Sequence, residues 1–224
     1  MRAAFFDIDG TLTSEHAWKG MLLYFQRNNL RRWTYFLYAA THYPLYFLRR
    51  LKLLTEGQFR APWSAHLSWF LRDFTLEQSN DLWEWTVRGF LSHYWRPDTR
   101  ALLDGHRSSG DLIVLVSSGP QPMVDCITQE LGAQYGIGTR FEIRDGRYTG
   151  RSLNPVCIDK YKASMTLELL KSQGLEVDLL ASFAYADSLA DLFLLELAGN
   201  PVAVYPEAGL RSVAESRGWR IFPS

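Results

Sequence analysis

Short apolar runs, mostly closed by small, polar or acidic residues, recur along the chain at Ala3–Phe6, Leu112–Val116, Ser182–Tyr185, Pro201–Val204 and Arg220–Phe222. Their length and setting predict strands. Apolar residues at helical spacing fill Thr99–Ser108, Gln121–Leu131, Tyr161–Gln173, Leu189–Ala198 and Gly209–Arg217 between them. Strands alternating with helices predict a parallel sheet covered on both faces, an α/β fold with a Rossmann-like three-layer α/β/α core. Ligands of such sheets gather at the carboxyl ends of the strands.

Residues 14–95 break this rhythm. Trp, Tyr, Phe, Leu and Arg recur there at helical spacings, with no clear strand. The stretch reads as an inserted all-helical unit, with the α/β core formed by residues 1–13 and 96–224, and Pro97-Asp98 marking the return to it. Asp145-Gly146 between the alternating arms of Phe141–Gly150 predicts a hairpin.

With 47% hydrophobic and 21% charged residues, the 224-residue chain buries a sizeable core and is not a disordered chain. Lys plus Arg and Asp plus Glu both total 24, which argues against nucleic acid as a partner. Cys126 and Cys157 match no metal spacing and form no disulfide framework; both read as buried small side chains. Asp7 interrupts the N-terminal apolar stretch too early for a signal peptide, which predicts a cytoplasmic protein. The charge-free run Trp33–Leu48 would reach roughly 24 Å as a helix, short of a bilayer core.

The chemistry concentrates in Asp7-Ile8-Asp9-Gly10-Thr11, directly after the first apolar run. Residues two apart on an extended backbone point the same way, so Asp7 and Asp9 share a side. An ionised carboxylate attacks phosphorus without a base, which suits Asp7, and a second carboxyl can protonate the leaving oxygen and then take a proton from water, which suits Asp9. Gly10 allows close backbone approach to a phosphate. Ser117-Ser118-Gly119 closes another strand at a helix start and offers a hydroxyl and N–H groups to an anion. Asp187 and Asp191 follow a strand with the spacing of one helical turn and suit Mg²⁺. Lys162 could supply the balancing cation, and Lys160 competes for that role.

These four segments, in this order, resemble the motifs of the haloacid dehalogenase-like phosphohydrolases, specifically the phosphoserine-phosphatase-like branch with a helical cap. D-x-D-G-T/S is matched by Asp7–Thr11, the strand-ending Ser or Thr by Ser117, the helix-start Lys by Lys162, and D-x-x-x-D by Asp187 and Asp191. The resemblance implies a Mg²⁺-dependent phosphomonoesterase working through a phosphoaspartate. By it, Asp7 is nucleophile and metal ligand, Asp9 is acid/base and lends a backbone carbonyl to the metal, and Asp187 completes the ligands. Asp191 would hold Lys162 or a metal-bound water, and Thr11, Ser117, Ser118 and Lys162 would bind phosphate. The second acid, Asp9, favours a phosphatase or phosphomutase over a dehalogenase.

The resemblance places residues 14–95 over the site as the element that selects the substrate. Phosphoserine phosphatases usually carry Glu nine residues after the nucleophile; here that position is His16, with Glu15 one residue early, and of the five histidines, all expected on the surface or in the core, His16 is the best placed to touch substrate. The expected substrate is therefore a phosphorylated small molecule or lipid headgroup. Arg27, Arg31, Arg32, Arg49, Arg50 and Lys52 interleave with Trp33, Tyr35, Phe36, Tyr38, Tyr43, Tyr46 and Phe47 and no acid. Two readings follow for residues 27–52: aromatic rings packed between helices with solvated arginines, or peripheral contact with an anionic membrane at its inner face, as an interaction module even without catalysis. His42, His66, His93 and His106 show no ligand spacing.

Overall fold

The computed structural model describes residues 1–51, 53, 54 and 56–223, so Lys52 of the basic segment lies outside the described residues. Strand β1 is Ala3–Phe6, and all four of its residues are buried, as befits a strand covered on both faces. Ala4 and Phe6 join one hydrophobic cluster and Ala3 and Phe5 the other, so β1 divides the interior in two.

After β1 come helices α1 (Ala17–Arg27), α2 (Arg32–Arg50), α3 (Glu56–His66) and α4 (Leu76–Glu84). A tight turn of 3-10 type at Leu67–Leu71 and a wide helical turn at Trp85–Phe90 complete the segment. Thr75 and Gln78 cap α4 reciprocally, each side chain bonding the other's backbone N–H. No strand forms among the described residues of 14–95. Met21, Phe25, Tyr38 and Phe70 of this segment enter the same cluster as Ala4 and Phe6.

The α/β rhythm then runs through α5 (Pro97–Ser108), β2 (Leu112–Pro120), α6 (Gln121–Leu131), β3 (Tyr135–Thr139), the hairpin strands β4 (Phe141–Arg144) and β5 (Arg147–Ser152), and α7 (Lys160–Ser172). It closes with β6 (Phe183–Ala186), α8 (Leu192–Leu195), β7 (Asn200–Val204), α9 (Ala208–Arg217) and β8 (Arg220–Phe222). Six strands form one sheet in the order β3-β2-β1-β6-β7-β8, and every pairing in it is parallel. The fold is a Rossmann-like α/β sheet with flanking helices. The chain builds outward from β1 through β2 to β3, then returns through β6 to β8, so the strand order reverses beside β1. That reversal opens a crevice at the carboxyl ends of β1 and β6.

Two elements differ from the sequence reading. β3 reads Tyr-Gly-Ile-Gly-Thr and lacks an apolar run. At Gly138 a Cβ would stand 2.8 Å from Gly119 O and 2.9 Å from Val124 Cγ2, so close strand-to-helix packing demanded glycine where a branched residue would have signalled a strand. Leu189–Ala198 is shorter than expected: a tight turn at Leu189–Asp191 leads into a helix of only four residues. Asp191 N donates to Ser188 O there, and Ser188 Oγ donates to Asp191 Oδ2 at 2.7 Å. The hairpin turns at Asp145-Gly146, with Arg144 paired to Arg147. It packs against the helical segment: Asp73 N donates to Tyr148 O, Tyr148 N to Phe74 O, and Ser68 Oγ to Gly150 O at 2.9 Å. Cys157 is buried, whereas Cys126 is only half-buried because it lies on the partly open side of α6.

Candidate active site

Asp7 N donates to Tyr185 O at 2.9 Å, extending the strand pairing of β1 by one residue and fixing where the Asp7 side chain leaves the sheet. Asp7 Oδ1 accepts from Lys162 Nζ at 2.5 Å, and Oδ2 accepts from Thr11 Oγ1 at 3.2 Å. Lys162 Nζ also donates to Asp191 Oδ1. One oxygen each from Asp7, Asp187 and Asp191 lies within 4.8 Å of the others. The Lys162 ammonium thus bonds two of three crowded carboxylates.

The electrostatics follow from that imbalance. Burial pushes the Asp7 carboxyl up to about 7; Lys162 opposes the rise and Asp191 and Asp9 add to it. Burial, then Asp7 and Asp191, push Asp187 up to about 8. Burial acts to lower Lys162, but Asp191 and Asp7 outweigh it and keep the ammonium charged. Hard oxygen donors with surplus negative charge fit Mg²⁺. Gly10 makes the cluster possible: at φ +92° its absent Cβ would stand 2.1 Å from Asp187 Oδ2. The close approach anticipated for a phosphate is in fact occupied by Asp187.

Asp9 turns toward α1, where Oδ1 accepts from Ala17 N at 2.6 Å. Burial raises its carboxyl, with His16 and the Ala17 N–H opposing. Thr11 is fully buried behind Asp7 and touches its carboxylate rather than the cavity. Ser117 is also buried; its Oγ accepts from Gly119 N at 3.0 Å, and Ser118 and Gly119, not Ser117, reach the cavity wall. Of the two lysines, Lys162 enters the cluster, and Lys160 is exposed against the Tyr161 ring.

Above these groups lies a cavity of about 590 Å³. α1, α2 and α3 supply most of its wall, including His16, Trp18, Tyr38, His42, Arg60 and Trp63. Sequence reasoning missed all of these except His16. His42 is buried, with Nδ1 2.7 Å from Tyr38 O and Nε2 3.2 Å from His66 Nδ1. The Tyr38 carbonyl requires a proton on Nδ1 of His42, leaving Nε2 to accept from His66. Burial, then His42, lower the His66 pKa. The two imidazoles sit on different helices, so no local spacing announced them. Arg60 Nη1 reaches within 3.5 Å of Ser188 Oγ, beside the acid cluster.

The sequence model of the haloacid dehalogenase-like hydrolases matches residues 4–196, spanning Asp7, Lys162, Asp187 and Asp191. The chain belongs to the haloacid dehalogenase-like hydrolases. Within that family it is a phosphatase of the phosphoserine-phosphatase-like branch. It is similar to a Mycobacterium tuberculosis protein named phosphoserine phosphatase, 30% identical over 98% of this chain and 70% of that protein. A histidinol-phosphatase of Neisseria meningitidis is 31% identical over 60% of this chain and 63% of its own length. A solved structure of a Bordetella pertussis protein of unknown function superposes with a TM-score of 0.80, at 27% identity, covering 98% of this chain and 97% of that one. In this hydrolase, as in its fold class, the acids gather where the strand order reverses. Among the described residues no helix is long and apolar enough to cross a membrane.

Proposed function

We propose that this phosphatase is a Mg²⁺-dependent phosphomonoesterase that works through a phosphoaspartate on Asp7. The observation carrying the reading is the Asp7–Lys162–Asp191–Asp187 arrangement, one buried cation inside a surplus of acid at the sheet's switch point. Asp7, Asp187 and the Asp9 backbone carbonyl would hold Mg²⁺, which when bound neutralises charge on the phosphoryl oxygens. Asp7 Oδ attacks phosphorus, forming the aspartyl P–O bond as the ester P–O bond breaks. Asp9 gives its proton to the leaving oxygen, then removes one from the water that hydrolyses the acyl phosphate and regenerates Asp7. Lys162, steadied by Asp191, and the Ser118–Gly119 turn would hold the phosphoryl oxygens.

Residues 14–95 act in this reading as the cap that closes the site from water and selects the substrate. Among the described residues, the cavity wall carries no carboxylate beyond Asp7, Asp9, Asp187 and Asp191, so none of them outside the reacting centre pairs with a substrate amine. Rings and basic side chains line the rest, including Trp18, Trp63 and Arg60. This favours a phosphorylated small molecule with a ring or apolar body, or a lipid headgroup phosphate, over phosphoserine.

The test is phosphate release from a panel of phosphoserine, histidinol phosphate, sugar phosphates, nucleotides and phosphatidylglycerophosphate, with Mg²⁺ and with chelator. Chelator-sensitive release, fastest for a ring-bearing or lipid member, is expected. Phosphate returned to the substrate at a new position, with none released, would make the protein a mutase. Fastest release from phosphoserine would overturn the reading of the cavity.

A further inference from the structure

α2 presents two different faces. Tyr38 and His42 point inward and are buried. Trp33, Phe36, Leu37 and Phe47 point outward and are 84%, 66%, 56% and 59% exposed. These positions follow the i, i+3, i+4 spacing of a helix face that normally seeks a core, yet none of the described residues covers it. A contiguous apolar patch of this kind on a folded surface marks an interaction site.

Charge identifies the partner. Arg32 opens the helix and Arg50 closes it, both exposed. Between Glu15 and Glu56 the chain carries no acid at all. A second copy laid antiparallel on this face would bring arginine against arginine with no carboxylate in the segment to offset them. An anionic surface with an apolar interior beneath it satisfies both features, with rings at headgroup depth and arginines among the phosphates. At 19 residues α2 is roughly 28 Å long, and it lacks the hydropathy of a spanning helix, so it can only lie in the interface plane.

We infer that the outer face of α2 is a peripheral docking surface for an anionic lipid bilayer. It is independent of the phosphatase reading, since Trp33, Phe36 and Phe47 are absent from the cavity wall. The experiment is co-sedimentation of the full chain with vesicles of phosphatidylcholine alone and of equimolar phosphatidylglycerol and phosphatidylcholine. Three proteins are compared: wild type, Trp33→Ser/Phe36→Ser/Phe47→Ser, and Arg32→Gln/Arg50→Gln. Thermal unfolding checks that each is folded, and sedimentation velocity gives its oligomeric state. Wild type should bind the mixed vesicles more tightly than the neutral ones and release them at high salt. The arginine variant should bind about 30-fold more weakly, at about fivefold per basic residue near an anionic surface, and the aromatic variant should lose binding. Absence of wild-type binding, equal binding by all three proteins, or a wild-type dimer that the aromatic variant dissociates would overturn the inference.

Discussion

The sheet carries buried acid at each end, one carboxylate at one and a cluster at the other, and the two sites are built on opposite principles. At the amino-terminal end, Asp111 accepts from Arg2 Nε at 2.8 Å and faces His106 Nδ1 at 2.7 Å, while His106 Nε2 meets the Tyr185 hydroxyl at 2.7 Å. Burial alone would raise Asp111, but Arg2 and His106 outweigh it and hold the carboxyl below its usual range. At the carboxyl end, Lys162 cannot balance Asp7, Asp187 and Asp191, and two of those carboxyls rise. One site is finished by its neighbours and serves folding. The other is left in deficit of positive charge, which is what a site awaiting a cation and a phosphate requires.

The comparison breaks most sharply at Asp7. Asp7→Asn should lower kcat for phosphate release by about 10⁴-fold or more while the fold persists, since the proposed nucleophile goes and crowded charge is relieved. Lys162→Ala should lower kcat by about 10²–10³-fold and destabilise the metal-free protein by about 3 kcal/mol or more, because Asp7 and Asp191 then lose the buried cation they share; steady-state kinetics and chemical denaturation would show both. Gly10→Ala should raise the Mg²⁺ concentration for half-maximal activity about tenfold or more, as the new Cβ displaces Asp187.

A smaller effect separates the two ends by sign. In chelated protein, the folded Asp7 and Asp187 bind protons more tightly than in the unfolded chain, so stability should fall as pH rises from about 4 toward 7 and 8. Mg²⁺ should flatten that slope in melting curves. Asp111 works the other way: its contribution is present above the unfolded carboxyl pKa and lost as pH falls through the lowered folded value. Asp111→Asn should therefore cost about 1 kcal/mol at neutral pH and nothing in strong acid.

The same contrast explains what was legible in the sequence. Asp7, Asp9, Lys162, Asp187 and Asp191 stood out because strand-end chemistry is compressed into short segments whose neighbours are fixed by the strands themselves. Thr11 and Ser117 lie behind the cavity wall, since a hydroxyl at a strand end can turn inward as easily as outward, and only packing decides. Trp63, Arg60 and the His42–His66 contact stayed hidden, since their meeting depends on how α2 and α3 pack across a loop. β3 was hidden for the reverse reason: Gly136 and Gly138 erased the apolar pattern to let α6 come close. On α2 the pattern was plain, but a helical stripe does not say which way it faces. Of the two readings of residues 27–52, ring burial holds for Tyr38 and fails for Trp33, Phe36, Tyr43 and Phe47.

The β4–β5 hairpin bears on how the helical segment is held. The chain passes between sheet and helices near Ser14 and Arg96, where Ser14 N donates to Tyr94 O and Arg96 N to Leu12 O, so both crossings lie side by side. A body hung on two adjacent strings swings like a door. Here the hairpin latches it at a third place through Asp73, Phe74 and Ser68. Swinging wide would break those bonds, so the hairpin ties the helical segment to the sheet at a place far along the chain from both crossings.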